Sequence, residues 1–382
     1  MGRRIVIGVG IANYPVHAAG NSWAFLQWAL AFRDAGWDVW LVEALASTHC
    51  VDENRRLVTP ERSINVRQAR TFLEEFGFAD RYALFMDGVC ENEAAITRFA
   101  SSADLFFNIS GHFQNKEILR LPKSRVYLDL DPVFTQIWAE VYNCDMNIEG
   151  HDHFVTVGNL LGTAACKAPT LGKKWVPTLP PVSIQHWTTD RPPSSTASWT
   201  TVTHWYGYKQ SEYQGEWHGN KSEEFEKIID LPGQTTESLE IATDLTPDDD
   251  VVQERFQKAG WRLRDAVPLN EPWQVYRGYL AGSKGEFAVA KNGYVRSRSG
   301  WFSDRSVCYL ALGRPVILQD TGWSGVLPEG KGLMKFTSTA DAAAALRTVA
   351  SDYAAHSKAA RELAETCFAG PKVVERLLEA LK

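Results

Sequence analysis

Ser303-Asp304-Arg305-Ser306 stands where a helix should begin, directly before the apolar run that leads to Gly313-Arg314-Pro315. A helix N-terminus presents free N–H groups and a partial positive charge, which suits a phosphate. Arg305 adds a rigid two-pronged donor for phosphate oxygens. The same residues also read as a plain start signal, with Ser303 or Asp304 as the cap, and one geometry can serve both. Lys291, Arg296 and Arg298 precede the step. With Ser303, Asp304, Arg305 and Ser306 they would form a cationic wall fit for a diphosphate.

A second set of polar residues follows strands in the first half of the chain. "RIVIGVG" (Arg4–Gly10) is a β-branched run, and the loop behind it carries His17 and Gly20. The glycines are too widely spaced for the dinucleotide fingerprint G-x-G-x-x-G. The gap from Gly10 to Gly20 suits a wide loop that admits a substrate, with Gly20 and Asn21 at its end. His17 is a candidate general base, because an imidazole titrates near neutral pH. "NISGHF" ends another strand and supplies His112 as a second candidate. "YLDLDP" ends a third with Asp129 and Asp131. Asp131 either orients a histidine or caps a helix behind Pro132, and the cap is preferred because proline is typical of a first helical turn.

Certain elements must position these groups. "RIVIGVG", the apolar helix "WAFLQWALAFRDAG" and "WDVWLVE" form a strand–helix–strand unit whose crossover should be right-handed. Asn21 or Ser22 would cap that helix and Gly36 would end it. Further strands are expected at Asp104–Ser110, Arg125–Asp131 and Phe154–Gly158, with helices at Val66–Phe76 and Glu91–Ala100. Residues 181–198, rich in Pro, Ser and Thr, read as an extended linker. Beyond it the alternation resumes, with strands at Thr200–Trp205, Ser238–Thr243, Glu286–Lys291, Pro315–Asp320 and Gly332–Phe336. Helices are expected at Ser222–Ile229, Val251–Ala259, Ser303–Leu312 and Ala340–Val349, and across 352–382 with a break near Gly370-Pro371. The pattern predicts an α/β chain of two doubly wound domains, 1–180 and 199–350, with closing helices over 351–382. In such sheets ligands bind outside the carboxyl ends of the strands.

The 382 residues are more than one core usually supports. A net charge of −6 does not favour a strongly basic nucleic-acid surface. No apolar run approaches a membrane span. The six cysteines lack metal-ligand spacing, so no metal site is expected. They read as free thiols in a reducing, cytoplasmic setting. Pro247-Asp248-Asp249-Asp250 reads as a solvated helix cap. The fourteen tryptophans serve either as core or as flat walls for sugars.

In "GWFSDRSVCYLALGRPVI" (Gly300–Ile317) and "AGWDVWLVE" (Ala35–Glu43), the chain resembles glycosyltransferases of the GT-B type. The closing "DYAAHSKAARELAETCFA" resembles their last helices. "LDLDPVFTQIW", "EFAVAKNGYVRSRSGWFSDRS" and "LQDTGW" look like a group of bacterial glycosyltransferase-like proteins. The resemblance implies two facing Rossmann-like domains with an interdomain cleft. It implies an acceptor-binding first domain, a nucleotide-sugar-binding second domain, and closing helices that cross back onto the first. It also implies transfer of a sugar from a nucleoside diphosphate sugar, such as UDP-glucose, to a hydroxyl of a small-molecule or glycan acceptor. No cofactor besides that co-substrate is called for. Trp301, Asp320 and Thr321 join the candidate substrate contacts. Two family features are missing: the paired glutamates of many retaining enzymes would fall at Gly300 and Cys308, and the histidine of many inverting ones at Gly300. Glu286 is the nearest upstream acid to take over ribose binding. Both stereochemical outcomes stay open. So do three other readings: a glycosyltransferase acting on modified DNA bases, a nucleotide-sugar epimerase or hydrolase, and a non-catalytic two-lobed sugar- or nucleotide-binding protein.

Overall fold

The computed structural model describes residues 2–14, 19–270 and 272–382, and in it the β-branched runs pair as two all-parallel sheets. The first contains β1 (Arg4–Gly8), β2 (Asp38–Leu45), β3 (Tyr82–Met86), β4 (Leu105–Ile109), β5 (Ser124–Asp129), β6 (His153–Thr156) and β7 (Trp175–Pro177). Their order is β3-β2-β1-β4-β5-β6-β7. The chain winds outward from β1 on one side and from β4 on the other, so a crevice opens between the carboxyl ends of these two strands.

The second sheet is built from β8 (Trp199–Thr203), β11 (Leu239–Thr243), β12 (Arg262–Asp265), β13 (Gly285–Ala288), β14 (Val316–Gln319) and β15 (Leu333–Phe336). Its order is β12-β11-β8-β13-β14-β15, which puts the switch point between β8 and β13. A small antiparallel hairpin, β9 (Ser211–Tyr213) with β10 (Glu216–His218), interrupts the connection that leaves β8. The result is an α/β fold of two Rossmann-like units.

The helix Ala19–Asp34 begins at Ala19, so Asn21 and Ser22 lie in its first turn and do not cap it. Gly36, at φ +86°, follows its end as expected. The helix is buried almost all round, and its one interior polar residue, Gln27, has both ends satisfied. Its Oε1 accepts the Ser183 N–H at 2.6 Å, and its Nε2 donates to the Cys308 sulfur at 3.4 Å. One amide thereby ties together the first helix, the segment after β7 and the second domain.

Among the described residues no helix or strand lies between Pro177 and Trp199. This segment is not a solvated strap, however. Val182 and Trp187 are fully buried, and Trp187 packs edge-on to Trp23 with ring centroids 5.0 Å apart. Its hydrophobic residues override the Pro/Ser/Thr composition. The chain ends in the helices Tyr353–Leu363 and Gly370–Ala380, joined by a π-turn over Ala364–Phe368. The last helix lies on Ala19–Asp34 so closely that a Cβ at Gly370 would sit 2.8 Å from the Ala31 Cα. Among the described residues no helix is long and apolar enough to cross a membrane.

Candidate active site

The second crevice is organised by Arg305. Ser303 caps the helix Asp304–Ala311, its Oγ accepting the Arg305 N–H at 3.2 Å. That start aims Arg305 back across the switch point. Its Nε donates to Glu286 Oε1 of β13 at 2.6 Å, and its Nη1 to the Val202 carbonyl of β8 at 2.6 Å. The Arg305 and Glu286 side chains are 11% and 0% exposed, so this is a buried ion pair. Three polar atoms here are buried without a partner: Arg305 Nη2, Glu286 Oε2 and Ser306 Oγ. Buried polar atoms in native proteins nearly always find partners. A donor, an acceptor and a hydroxyl left over at one switch point suit a ligand with both phosphate and hydroxyl groups. With Nε and Nη1 engaged, Arg305 has only Nη2 left for such a ligand, so the fork expected from the sequence is not free.

Two lysines complete the crevice. Lys221, at the start of the helix Lys221–Glu226, makes neither a hydrogen bond nor an ion pair with the described residues. Burial pushes its ammonium well below the usual lysine range, and the nearby charges of Arg305 and Lys291 push it further, against the opposing pull of Glu286 and Asp304. Lysine in a first helical turn also opposes the helix dipole. All three effects would be relieved by an anion at this spot. Lys291, just beyond β13, is depressed by burial against the opposing pull of Asp131. The sequence reading missed Lys221; its unfavourable place in a first turn was the available signal.

The first crevice is shaped by a buried carboxylate at the end of β2. Glu43 accepts from the Asn13 N–H at 2.9 Å and from the Tyr82 hydroxyl at 2.8 Å, and so anchors the loop that leaves β1. His112 leans over the same loop. A Cβ at Gly10 would lie 2.8 Å from its ring, so glycine is required there for close approach. The His112 ring packs edge-on to Phe25, and its Nε2 lies 3.3 Å from the Tyr14 hydroxyl. Burial lowers its pKa to about 4, with Asp131 opposing. The imidazole is therefore neutral at pH 7. His17 lies outside the described residues.

The folded-state pKa of His112 is depressed below the ordinary 6.5. Between these values the unfolded chain holds a proton that the folded chain does not. Stability present above pH 6.5 is thus lost as pH falls toward 4. Replacing His112 with asparagine should shrink the stability difference between pH 7 and pH 4.5 by about 2 kcal/mol in urea titrations. An unchanged difference would show that the ring is not held neutral.

Asp129 and Asp131 have separate tasks. Asp129 is fully buried and accepts four hydrogen bonds: from the Asp131 N–H at 3.0 Å, Thr135 Oγ1 at 2.8 Å, Gln136 Nε2 at 2.9 Å and Thr156 Oγ1 at 3.0 Å. Burial raises its pKa to about 6, outweighing the bonds from Gln136 and Thr135. It pins the turn that projects Asp131. Exchanging Asp129 for asparagine sets an amide N–H2 against donors and should cost about 1–3 kcal/mol in urea unfolding. An unshifted midpoint would remove it from this role.

Asp131 is not the helix cap that the sequence suggested. The helix Phe134–Tyr142 starts behind Val133, at φ +83°, whose N–H is taken by the Gln136 side chain. Freed from capping, Asp131 reaches across to the second domain. Its Oδ1 lies 2.7 Å from Lys291 Nζ and also accepts the Tyr294 hydroxyl. Burial would raise this carboxyl, but Lys291 and the Tyr294 and Tyr208 hydroxyls hold it below the usual range.

The other expected contacts separate. Asp304 lies in the first turn beside Arg305, its carboxyl raised by burial against the pull of that arginine. Gly20 faces Tyr276, with 3.4 Å between that hydroxyl and the place of a Cβ. Asn21 lies partly exposed in the same turn. Arg298 is exposed and closes the helix Asn292–Ser297 in a left-handed conformation, φ 50°. Trp301 is 8% exposed and pairs with Gly158 in an isolated bridge between the domains. Thr321 is spent on the Trp301 carbonyl at 2.7 Å, and Asp320 on the Gly322 N–H at 2.9 Å. These three hold the domain junction and a turn. Asp249 bonds back to the cap of its own turn, accepting from Thr246 N and Oγ1, and makes no side-chain cap to the helix Asp250–Lys258 behind it. Among the described residues no group of three His, Cys, Asp or Glu is placed to hold a metal.

The positions where the resemblance would place paired glutamates have a structural reason to lack them. Gly300 has φ +70°, and a Cβ there would meet the Leu160 N at 2.8 Å. Cys308 is buried against Gln27. Both positions are occupied by contact with the first domain.

Two Rossmann-like units whose crevices meet across a cleft define the GT-B architecture. Across the whole chain the fold is similar to Anabaena HepE, solved with UDP-glucose (14% identity, TM-score 0.54, 100% of this chain and 99% of that one). It is also similar to an alpha-glucosyltransferase solved with UDP and a 13-mer DNA containing a HMU base (11% identity, TM-score 0.56, 100% of both chains). A third similar structure is sucrose-phosphate synthase from Thermosynechococcus elongatus (13% identity, TM-score 0.51, 100% of both chains). No protein-family model matches the chain, and no curated protein matches it.

Proposed function

We propose that the protein transfers a sugar from a nucleoside diphosphate sugar to a hydroxyl of a small-molecule or glycan acceptor. The observation that carries this reading is the meeting of Lys221, Lys291 and Arg305 beside three unpartnered buried polar atoms at the β8–β13 switch point. The first crevice, with His112 and Asp131, faces them. Similar folds solved with UDP and UDP-glucose support UDP-glucose as the first donor to try.

In this reading residues 199–350 seat the donor and 1–180 the acceptor, with 181–198 as connector and 351–382 bracing the pair. Lys221, Lys291 and the amides at the start of Asp304–Ala311 take the diphosphate and stabilise the charge that develops as it leaves. Arg305 Nη2 and Ser306 Oγ add donors, and Glu286 Oε2 accepts from a ribose hydroxyl. His112 orients the acceptor hydroxyl through its neutral Nε2, and His17 remains a candidate base. The net charge of −6 makes DNA the less favoured acceptor. The six free thiols fit a cytoplasmic setting.

The test is a panel of nucleotide sugars incubated with mixed acceptors, followed by chromatography of released nucleotide and glycosylated product. The reading expects nucleoside diphosphate release that depends on an acceptor. Release without an acceptor would indicate hydrolysis, and binding without release a non-catalytic protein. Donors left intact and unbound would refute it.

A further inference from the structure

We propose that Asp131 is an internal occupant of the donor phosphate seat, holding Lys291 until the diphosphate displaces it. The inference rests on the glycosyl-transfer reading above. Asp131 follows β5 of the first domain and Lys291 follows β13 of the second, 160 positions away. Their 2.7 Å contact therefore spans the cleft. Lys291 Nζ stands 3.4 Å from the centre of the Tyr208 ring and 5.3 Å from that of Tyr294. The Tyr294 hydroxyl donates to the same carboxylate oxygen. An anionic oxygen fixed by an ammonium and a phenol is the arrangement a non-bridging phosphate oxygen would take.

The charges nearby are unbalanced in the direction the inference needs. Lys221 forms no ion pair with the described residues, with only the charges of Glu286 and Asp304 nearby, and Arg305 keeps one N–H without a partner. A diphosphate carries more charge than one carboxylate and reaches Lys221 and Lys291 together. Once it binds, Asp131 is released on the acceptor side of the cleft. The connection after β8 lies over the same place. Its Tyr208 ring contacts Lys291, and its hairpin is tied to the first domain through Trp138 Nε1 donating to Ser211 Oγ at 2.9 Å.

The experiment is calorimetric titration of UDP into the wild type and Asp131→Asn, with GDP, ADP and TDP as further wild-type arms. The inference expects the variant to bind about tenfold more tightly. Equal or weaker binding by a folded variant would overturn it and make Asp131 a plain structural tie. Should the variant fail to fold, hydrogen exchange on the wild type decides. UDP should speed exchange across 129–136 while slowing it across 303–311, and slowed or unaltered exchange across 129–136 would overturn the inference. A wild type that binds none of the nucleotides defeats the parent reading itself, which is a separate outcome.

Discussion

Replacing Arg305 with alanine is expected to destabilise the protein by about 3–5 kcal/mol, because it strips the buried carboxylate of Glu286 of its directly bonded counter-charge. Glu286 is 0% exposed and its other oxygen already lacks a partner. The Val202 carbonyl loses its donor as well. Adding Glu286→Gln to the same chain removes the stranded charge and should restore a large part of the loss. It should not restore nucleotide binding, since Nη2 is still gone. Urea unfolding at pH 7 of the single and double variants separates these effects. A loss below about 1 kcal/mol for the single variant would place the pair among weakly coupled surface contacts and contradict its burial.

Lys221→Met should behave in the opposite way. The ammonium has no partner among the described residues and is disfavoured by burial and by Arg305 and Lys291. Removing it should leave stability unchanged or slightly raised. UDP affinity should fall by roughly 10- to 100-fold, the scale of one charge-assisted contact. Calorimetric titration measures the affinity and urea unfolding the stability. A variant that binds UDP as the wild type does would take Lys221 out of the seat.

The contrast between these residues shows what was legible in the sequence. Arg305 stood out because it follows a serine cap at the head of an apolar run, a local pattern that survives folding unchanged. Its partner Glu286 was visible only as a nearby acid, since an ion pair across 19 positions is set by the β8–β13 switch. Lys221 was passed over within a polar helix start, where its clash with the dipole was the clue. Asp131 was assigned to a cap on the strength of Pro132. The positive φ of Val133 shifts the helix start, and the real partner lies 160 positions downstream.

Strands with continuous apolar runs, such as β1 and β4, were read to within a residue or two. The edge strand β12, Arg-Leu-Arg-Asp with mostly exposed side chains, and the three-residue hairpin strands carry too little pattern to be read. The segment 181–198 followed its composition in lacking regular structure, yet Val182 and Trp187 draw it into the core. Trp301 and Thr321 enter as substrate contacts with the resemblance to GT-B enzymes. Only the packing of the two domains shows them committed to the junction.

The most direct measurement is a thermal melt of the wild type and Lys221→Met with and without saturating UDP. Ligand that binds only the folded state raises the melting temperature by mass action. The account predicts a rise of a few degrees for the wild type and little or none for the variant. No rise for the wild type with UDP, GDP, ADP or TDP would contradict a nucleotide-sugar site, and an equal rise in both proteins would contradict its placement at Lys221, Lys291 and Arg305.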